Sequence, residues 1–309
     1  MKVLVKTKGM NRKDWLEWRR KGIGGSDVSI IAGVNKFKSV FQLWLEKTNQ
    51  LELEETDSEY AHFGTLLEPI VKKEFMRRTG KKIKARNEIL QSEEFPFMLC
   101  DLDGVIYEDG EMCIFEAKTA SAYKQDIWDN GVPIEYILQV QHYMAVTNTR
   151  KAYVAALVGG NHFYSYTIHR DEELIGLITA MEQEFWESYV LTGAEPVPDG
   201  SEATTAYING RYGQCNGQTI ELPEEALDVV CRYEDISHQM KQIEERKEAL
   251  ANQLKKYLGE NEAGTVCGRK VSWKQYSRKS FDSKRFEREN RQMYEQYLME
   301  SRYRRLTVA

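Results

Sequence analysis

The sequence contains no run approaching the roughly 18 uninterrupted apolar residues that cross a bilayer. Its opening, Met1-Lys-Val-Leu-Val-Lys6, lacks the apolar stretch of a secretory leader. A soluble, cytoplasmic protein with no membrane partner is therefore expected. Cysteine is scarce: Cys100, Cys113, Cys215, Cys231 and Cys267 are scattered and form no C-x-x-C pair. That spacing supports neither a disulfide framework nor a zinc site, and reduced core thiols are expected. Proline numbers only six, and neither an internal repeat nor a low-complexity tract is present. With 41% apolar residues over 309 positions, the chain can bury a sizeable core, which argues against disorder.

The net charge is −5, but it is segregated. Residues 1–21 hold eight Lys or Arg against Asp14 and Glu17; residues 269–309 hold twelve against five acids; acids cluster between Glu46 and Glu59. Solvated surface charge accounts for most such runs. Two basic ends around an acidic middle keep a nucleic-acid partner open without proving one.

Patterning predicts helices over Asp14–Arg20, Val40–Lys47, Gly64–Arg78, Ile134–Val146 and Glu172–Leu191. In Gly64–Arg78 the apolar face is Leu67, Ile70, Val71 and Phe75, with Gly80 as a stop. Strands are expected over Phe97–Tyr107 and Met112–Lys118, joined by a Glu108-Asp-Gly110 turn, and over Lys151–Val158 and His162–His169. This order gives an α/β (α+β) chain with a central mixed sheet flanked by helices. The Pro- and Gly-rich segment 193–200 suggests a boundary, dividing a core of residues 1–199 from a helical extension of residues 200–309. From Val229 to Tyr257 apolar residues fall in alternating steps of three and four, interrupted at Lys247. That pattern fits either a helix packed on its own domain or an intermolecular coiled coil. A short hairpin (Thr265–Cys267 with Lys270–Lys274) and a basic helix over Ser283–Arg302 complete the extension.

The chemistry concentrates in Asp101-Leu-Asp-Gly104 and Met112-Cys-Ile-Phe-Glu-Ala-Lys118. Strand alternation puts Glu116 and Lys118 on one face, beside Asp103 from the neighbouring strand. Glu116 lies in an otherwise apolar strand, where an unpaired carboxylate costs several kcal/mol. A divalent cation removes that cost: Asp and Glu oxygens suit Mg²⁺ or Mn²⁺, with the Ala117 carbonyl as an extra ligand and Lys118 polarising a water. A salt-bridged strand pair explains the same residues blandly. Gly24-Gly25-Ser26, opening a helix, can present amides and a hydroxyl to an anion, with Arg20 adding a bidentate contact. Here the bland alternative is a Ser26 helix cap.

Asp103 with Glu116-Ala-Lys118 resembles the motif of the PD-(D/E)xK nuclease superfamily. Arg20-Lys-Gly-Ile-Gly-Gly-Ser-Asp27, Phe63-Gly-Thr-Leu-Leu-Glu-Pro69, Tyr136-Ile-Leu-Gln-Val-Gln-His-Tyr-Met144 and Phe185-Trp186 narrow the resemblance to the YqaJ and phage lambda exonuclease group. The resemblance covers roughly residues 10–195 and implies a restriction-endonuclease-like core. It further implies that Asp103, Glu116 and Glu68 bind metal and that Lys118 is the motif lysine. Tyr136 and Gln139, three residues apart on one helical face, would line the site; Gln141 and His142 fall on other faces as supports. Arg20 and Ser26 would hold a terminal 5′-phosphate, although Asp101 stands where lambda exonuclease has a phosphate-contacting serine. The iron–sulfur cluster of some relatives finds no set of four suitably spaced cysteines here.

The implied activity is metal-dependent 5′ to 3′ digestion of duplex DNA ends, leaving 3′ single strands for phage-type recombination. A single-strand annealing protein is the implied partner, a homo-oligomer is possible, and a phage or prophage origin would place the protein in the bacterial host cytoplasm. The alternatives are a structure-specific endonuclease of the same fold and a non-catalytic DNA-binding scaffold.

Overall fold

The computed structural model describes residues 1–51, 59–300 and 303–308, so part of the acidic cluster before Glu59 lies outside the described residues. The chain forms two compact units, Met1–Arg211 and Tyr212–Ala309. The first continues past residue 199, because a helix over Glu202–Arg211 sets Tyr207 against Phe41, with ring centroids 5.8 Å apart.

In chain order the first unit comprises β1 (Lys2–Lys6), α1 (Arg12–Arg20), α2 (Gly25–Ile31), α3 (Val40–Lys47), α4 (Glu59–Thr79), β2 (Glu88–Gln91), β3 (Leu99–Asp101), β4 (Gly104–Glu108) and β5 (Glu111–Ala120). It continues with α5 (Gln125–Asp129), α6 (Ile134–Thr147), β6 (Lys151–Val158), β7 (His162–His169), α7 (Glu172–Phe185), extended by a π-helical turn over Trp186–Val190, and α8 (Glu202–Arg211). The central sheet has the order β4-β5-β6-β7. Within it β5 and β6 run parallel and the outer pairings are antiparallel, so the sheet is mixed, as the pattern predicts. A parallel pair requires a crossover connection, which α5 and α6 supply. The β4–β5 turn places Asp109 (φ 49°) and Gly110 (φ 84°) in the left-handed region, the conformation of a tight two-residue hairpin.

β5 alternates between two cores. Cys113 and Phe115 pack with Val71 and Phe75 of α4 on one face. Ile114 belongs to the larger core on the other face, with Val140, Tyr143 and Met144 of α6. Ile70, assigned to the buried face of α4 from its spacing, is instead 53% exposed.

The strand expected over Phe97–Tyr107 is two strands in two sheets. β3 joins β1 and β2 in a three-stranded antiparallel sheet, and the chain leaves it at Leu102–Asp103 before entering β4. β1 and β2 are too short, with too mixed a pattern, to stand out from sequence.

The second unit holds α9 (Ala226–Leu258), an antiparallel hairpin of β8 (Ala263–Val266) and β9 (Arg269–Ser272), α10 (Ser283–Glu289) and α11 (Arg291–Tyr297). The basic helix expected over Ser283–Arg302 is thus broken at Asn290 (φ −141°, ψ 48°), and Arg302 lies outside the described residues. Cys100 and Cys113 are buried as expected, whereas Cys215, Cys231 and Cys267 are exposed.

Candidate active site

The site forms where β5 outruns its neighbour. Pairing with β4 ends at Phe115 opposite Gly104, so residues 116–120 keep β6 on one side and leave the other edge open. Asp103 sits just before β4 and covers that edge: its Oδ2 accepts the Ala117 N–H at 2.8 Å. The break between β3 and β4 therefore brings Asp103 to the strand carrying Glu116 and Lys118.

Glu116 is 3% exposed. Its Oε1 accepts from Lys118 Nζ at 2.7 Å and from Gln139 Nε2 at 2.7 Å, while its buried Oε2 has no partner. Lys118 Nζ also donates to Gln139 Oε1 at 3.0 Å and lies 4.7 Å from the centre of the Tyr136 ring. α6 thus delivers Tyr136 and Gln139 to the same lysine, as their spacing predicts. Burial, then the charge of Glu116, holds the Asp103 pKa well above the usual carboxylate range. Burial raises Glu116 too, against the pull of Lys118. For Lys118 burial disfavours the ammonium, but Glu116 and Asp103 outweigh it and the pKa rises.

Glu68 reaches the cleft from α4 but is engaged by Lys72, one turn on, in an ion pair. Glu68, Asp103 and Glu116 line one cleft, but among the described residues no three His, Cys, Asp or Glu side chains close into a ready metal cage. Ala117 lines the cleft, with its amide committed to Asp103. The donors still suit a hard divalent cation: two carboxylates disfavoured as anions, one with an orphaned buried oxygen, which such an ion would satisfy alongside water ligands.

Asp103, Glu116 and Lys118 share one cavity of about 580 Å³ with Arg12, Trp15, Arg19 and Gly24–Ser26. Arg20 is not there. Its guanidinium is bound to the Leu51 carbonyl and to Asn49 Oδ1 (3.0 Å). The arginine at the glycine turn is Arg19, whose Nη2 donates to Ser26 Oγ at 2.6 Å. Arg12 and Arg19 both lie over the Trp15 ring, at 4.3 and 4.8 Å, and the indole N–H donates to Asp101 Oδ2 at 2.5 Å. Residues 12, 15 and 19 share one face of α1, and Arg20 is a further 100° around; helical spacing alone could have made that choice. Asp101 is tied to Trp15 rather than left facing the cavity unpaired, and burial raises its pKa against that bond.

The turn is held from beneath. Asp27, not Ser26, caps α2, accepting the Gly24 N–H at 3.0 Å, and it pairs with buried Lys47 at 2.7 Å. Lys47 and Arg19 overcome the cost of burial and keep the Asp27 pKa low. Gly25 is required by close approach, since a Cβ there would overlap the Tyr143 ring. Behind the site, buried His142 joins Glu182 of α7 (2.7 Å) to the Leu99 carbonyl (2.8 Å), and Gln141 binds the His169 carbonyl at 2.8 Å; both are supports.

Fold and cleft together define a mixed α/β protein with a carboxylate–lysine site at the open end of its central sheet. Residues 14–150 match the model of the YqaJ-like viral recombinase domain, and YqaJ of Bacillus subtilis (strain 168) is 41% identical over 99% of this chain and 97% of its own. The chain belongs to the YqaJ-like viral recombinase family. Among solved structures it is similar to LHK-Exo, an alkaline exonuclease from Laribacter hongkongensis, at 18% identity and a TM-score of 0.48, covering 65% of this chain and 97% of that one. A phage-related exonuclease from Haemophilus somnus 129PT is similar at 16% identity and a TM-score of 0.44, over 58% and 100%. No helix among the described residues is long and apolar enough to cross a membrane.

Proposed function

We propose that the protein is a metal-dependent deoxyribonuclease that digests one strand of duplex DNA from a 5′ end. The observation that carries this reading is the Glu116 carboxylate, buried with one oxygen unpartnered beside Asp103 and Lys118. A carboxylate kept in that setting is costly to the fold and is best explained by a cationic ligand. Asp103 and Glu116 would hold Mg²⁺ (or Mn²⁺), with the Ala117 carbonyl as a further donor and Glu68 joining on release from Lys72. When bound, the ion supplies an activated water and neutralises charge on the phosphodiester.

The chain's own groups supply the rest. Lys118, kept protonated by its acidic neighbours, can donate to the attacking water or to a phosphoryl oxygen. Gln139 fixes both ends of the Glu116–Lys118 pair, and the Tyr136 ring supports the ammonium. The terminal phosphate would sit by Arg19, Ser26 and Gly24–Gly25, with Arg12 across the Trp15 ring. Polarity and the annealing-protein partner are inferred from the resemblance of the sequence motifs to the phage lambda exonuclease group, and a role in recombination from the recombinase family. Labelled linear duplexes with phosphorylated or hydroxyl 5′ ends, run beside covalently closed circles, test the reading. Linear duplex should be shortened from 5′-phosphorylated ends and circles left intact; cleavage of circles would favour a structure-specific endonuclease instead.

A further inference from the structure

Residues 72–86 hold eight Lys or Arg against one acid, Glu74, a density of charge that the site described above does not account for. The run begins in the last turns of α4, turns at Gly80 (φ 71°) and comes back along the outer edge of β4. There Lys84 and Val105 exchange both backbone hydrogen bonds, at 2.8 and 2.9 Å. Ile83 packs inward on the core of Val71, Phe75 and Phe115, so Lys82 and Lys84 turn outward, and both are exposed. Alternation puts Arg86 on the same side. Its Nη1 lies 3.2 Å from the Met112 sulfur, and it lines the cavity that holds Asp103 and Glu116.

Most of the other cations have partners. Arg77 and Arg78 share Glu74, Lys81 binds Glu108, Lys72 binds Glu68, and Arg86 meets Glu88 at 3.2 Å. Eight cations against these four carboxylates still leave net +4. Among the described residues Lys82 and Lys84 have no carboxylate partner. Lys84 lies instead over the Tyr107 ring, 5.0 Å from its centre, and Tyr107 is 54% exposed. Tyr107 is opposite Met112 in the β4–β5 register, which sets the ring on the face that Lys84 and Arg86 share.

We propose that Lys82, Lys84 and Arg86, with Tyr107 beside them, form a track for single-stranded DNA that leads out of the catalytic cavity. The occupant is the uncut strand, left unpaired at the cavity as nucleotides are removed from its complement; in this the inference rests on the nuclease reading above. Alternate residues of an extended segment stand roughly 6.5–7 Å apart, a step that suits successive phosphates of one strand. The exposed ring among the cations selects an unpaired strand, because it can stack only on a base that is free of its own duplex. Continuity with the cavity through Arg86 places the start of the track where that strand is first released.

The test measures binding by the full chain with divalent cations chelated, so that nothing is digested. The probes are a 5′-phosphorylated blunt duplex and the same duplex with a 3′ overhang of about ten thymidines. The overhang should tighten binding about tenfold, and Lys82→Ala with Lys84→Ala should remove that advantage while leaving blunt-end affinity alone. The slope of log affinity against log salt on the overhang probe should fall by about 1.4, the share of two phosphates on a single strand. Lys82→Arg with Lys84→Arg should keep the advantage, and Tyr107→Leu should cost at least about fivefold on the overhang probe alone. All three side chains are exposed, so circular dichroism should show an unchanged fold. Equal affinity for the two probes, an advantage that survives the alanine pair, or an equal loss on both probes would overturn the proposal. The nuclease reading fails separately: a protein that prefers the overhang as expected yet digests no linear duplex with Mg²⁺ would contradict that reading, whereas digestion without any overhang preference would contradict the track alone.

Discussion

The cleft of residues 1–211 and the long helix of residues 212–309 break the usual partition of side chains in opposite directions. Around β5 the fold gathers charge: Glu116 is buried beside half-buried Asp103 and Lys118, and burial disfavours both carboxylates as anions. Along α9 it exposes apolar surface, with Met240 and Ile243 more than half open. The first departure is the one on which the proposed function rests. For the cleft, carboxylates in need of positive charge point to a cation and a phosphodiester. The energetics differ as well: burial disfavours the charged forms of Asp103 and Glu116, whereas the exposed apolar side chains of α9 desolvate no charge.

The sharpest way to break the comparison is to remove the buried charge. Asp103→Ala should abolish cleavage by removing a carboxylate from the proposed cation site, with folding checked by circular dichroism. Lys118→Ala should lose about a hundredfold or more in kcat, the scale of a lost electrostatic or proton-donating group.

Asp103→Asn tests the energetic half of the contrast. Because the folded-state pKa of Asp103 is raised above its unfolded value, the stability linked to its proton is fully present below the unfolded carboxyl range and lost as pH rises through the folded value. The asparagine variant escapes that loss. Its Tm should exceed that of the parent by a few degrees at neutral pH, and the gap should close in acid. Added Mg²⁺ should raise the parent's Tm more than the variant's; an equal rise in both would separate Asp103 from the cation.

Neighbouring arginines sharpen the account of the cavity. Arg19→Ala should cut the preference for 5′-phosphorylated over hydroxyl ends about tenfold. Arg20→Ala should leave that preference alone and instead cost about 1–2 kcal/mol of stability through its lost carbonyl and Asn49 contacts. The reverse pattern would restore Arg20 to the phosphate.

The smallest effect is expected from the basic end of the second unit. Removing residues 278–309, which spares the β8–β9 hairpin, should flatten the dependence of DNA affinity on salt by a few counterions at most. Arg285 and Arg291 already pair with Glu289 and Glu295 on their own short helices, which reduces the charge left for phosphates.

Much of the first unit was legible in the sequence because its signals are local or periodic. The β4–β5 turn, the shared face of Glu116 and Lys118, and the Tyr136–Gln139 spacing follow from turn chemistry and repeat lengths. Other features depend on tertiary geometry. Whether residues 97–107 form one strand or two turns on which sheet edge lies nearby, and the engagement of Glu68 by Lys72 is a rotamer choice between two plausible partners. The exchange of Arg20 for Arg19 is different: Arg20 is nearer the glycine turn in sequence, but Arg19 shares the face of α1 with Arg12 and Trp15, which helical spacing alone defines. Basic composition over 283–302 likewise suggested one helix, whereas Asn290 leaves helical geometry and divides it.

The central claim, that buried Glu116 of β5 and neighbouring Asp103 make a metal-dependent nuclease, is tested most directly by digesting linear duplex DNA with the intact protein and with Glu116→Gln, each with and without Mg²⁺. The account predicts shortening of the duplex only by the intact protein and only with the metal, while the folded variant is inactive in both conditions. Near-normal digestion by a folded Glu116→Gln protein, or digestion by the intact protein with all divalent cations chelated, would contradict it.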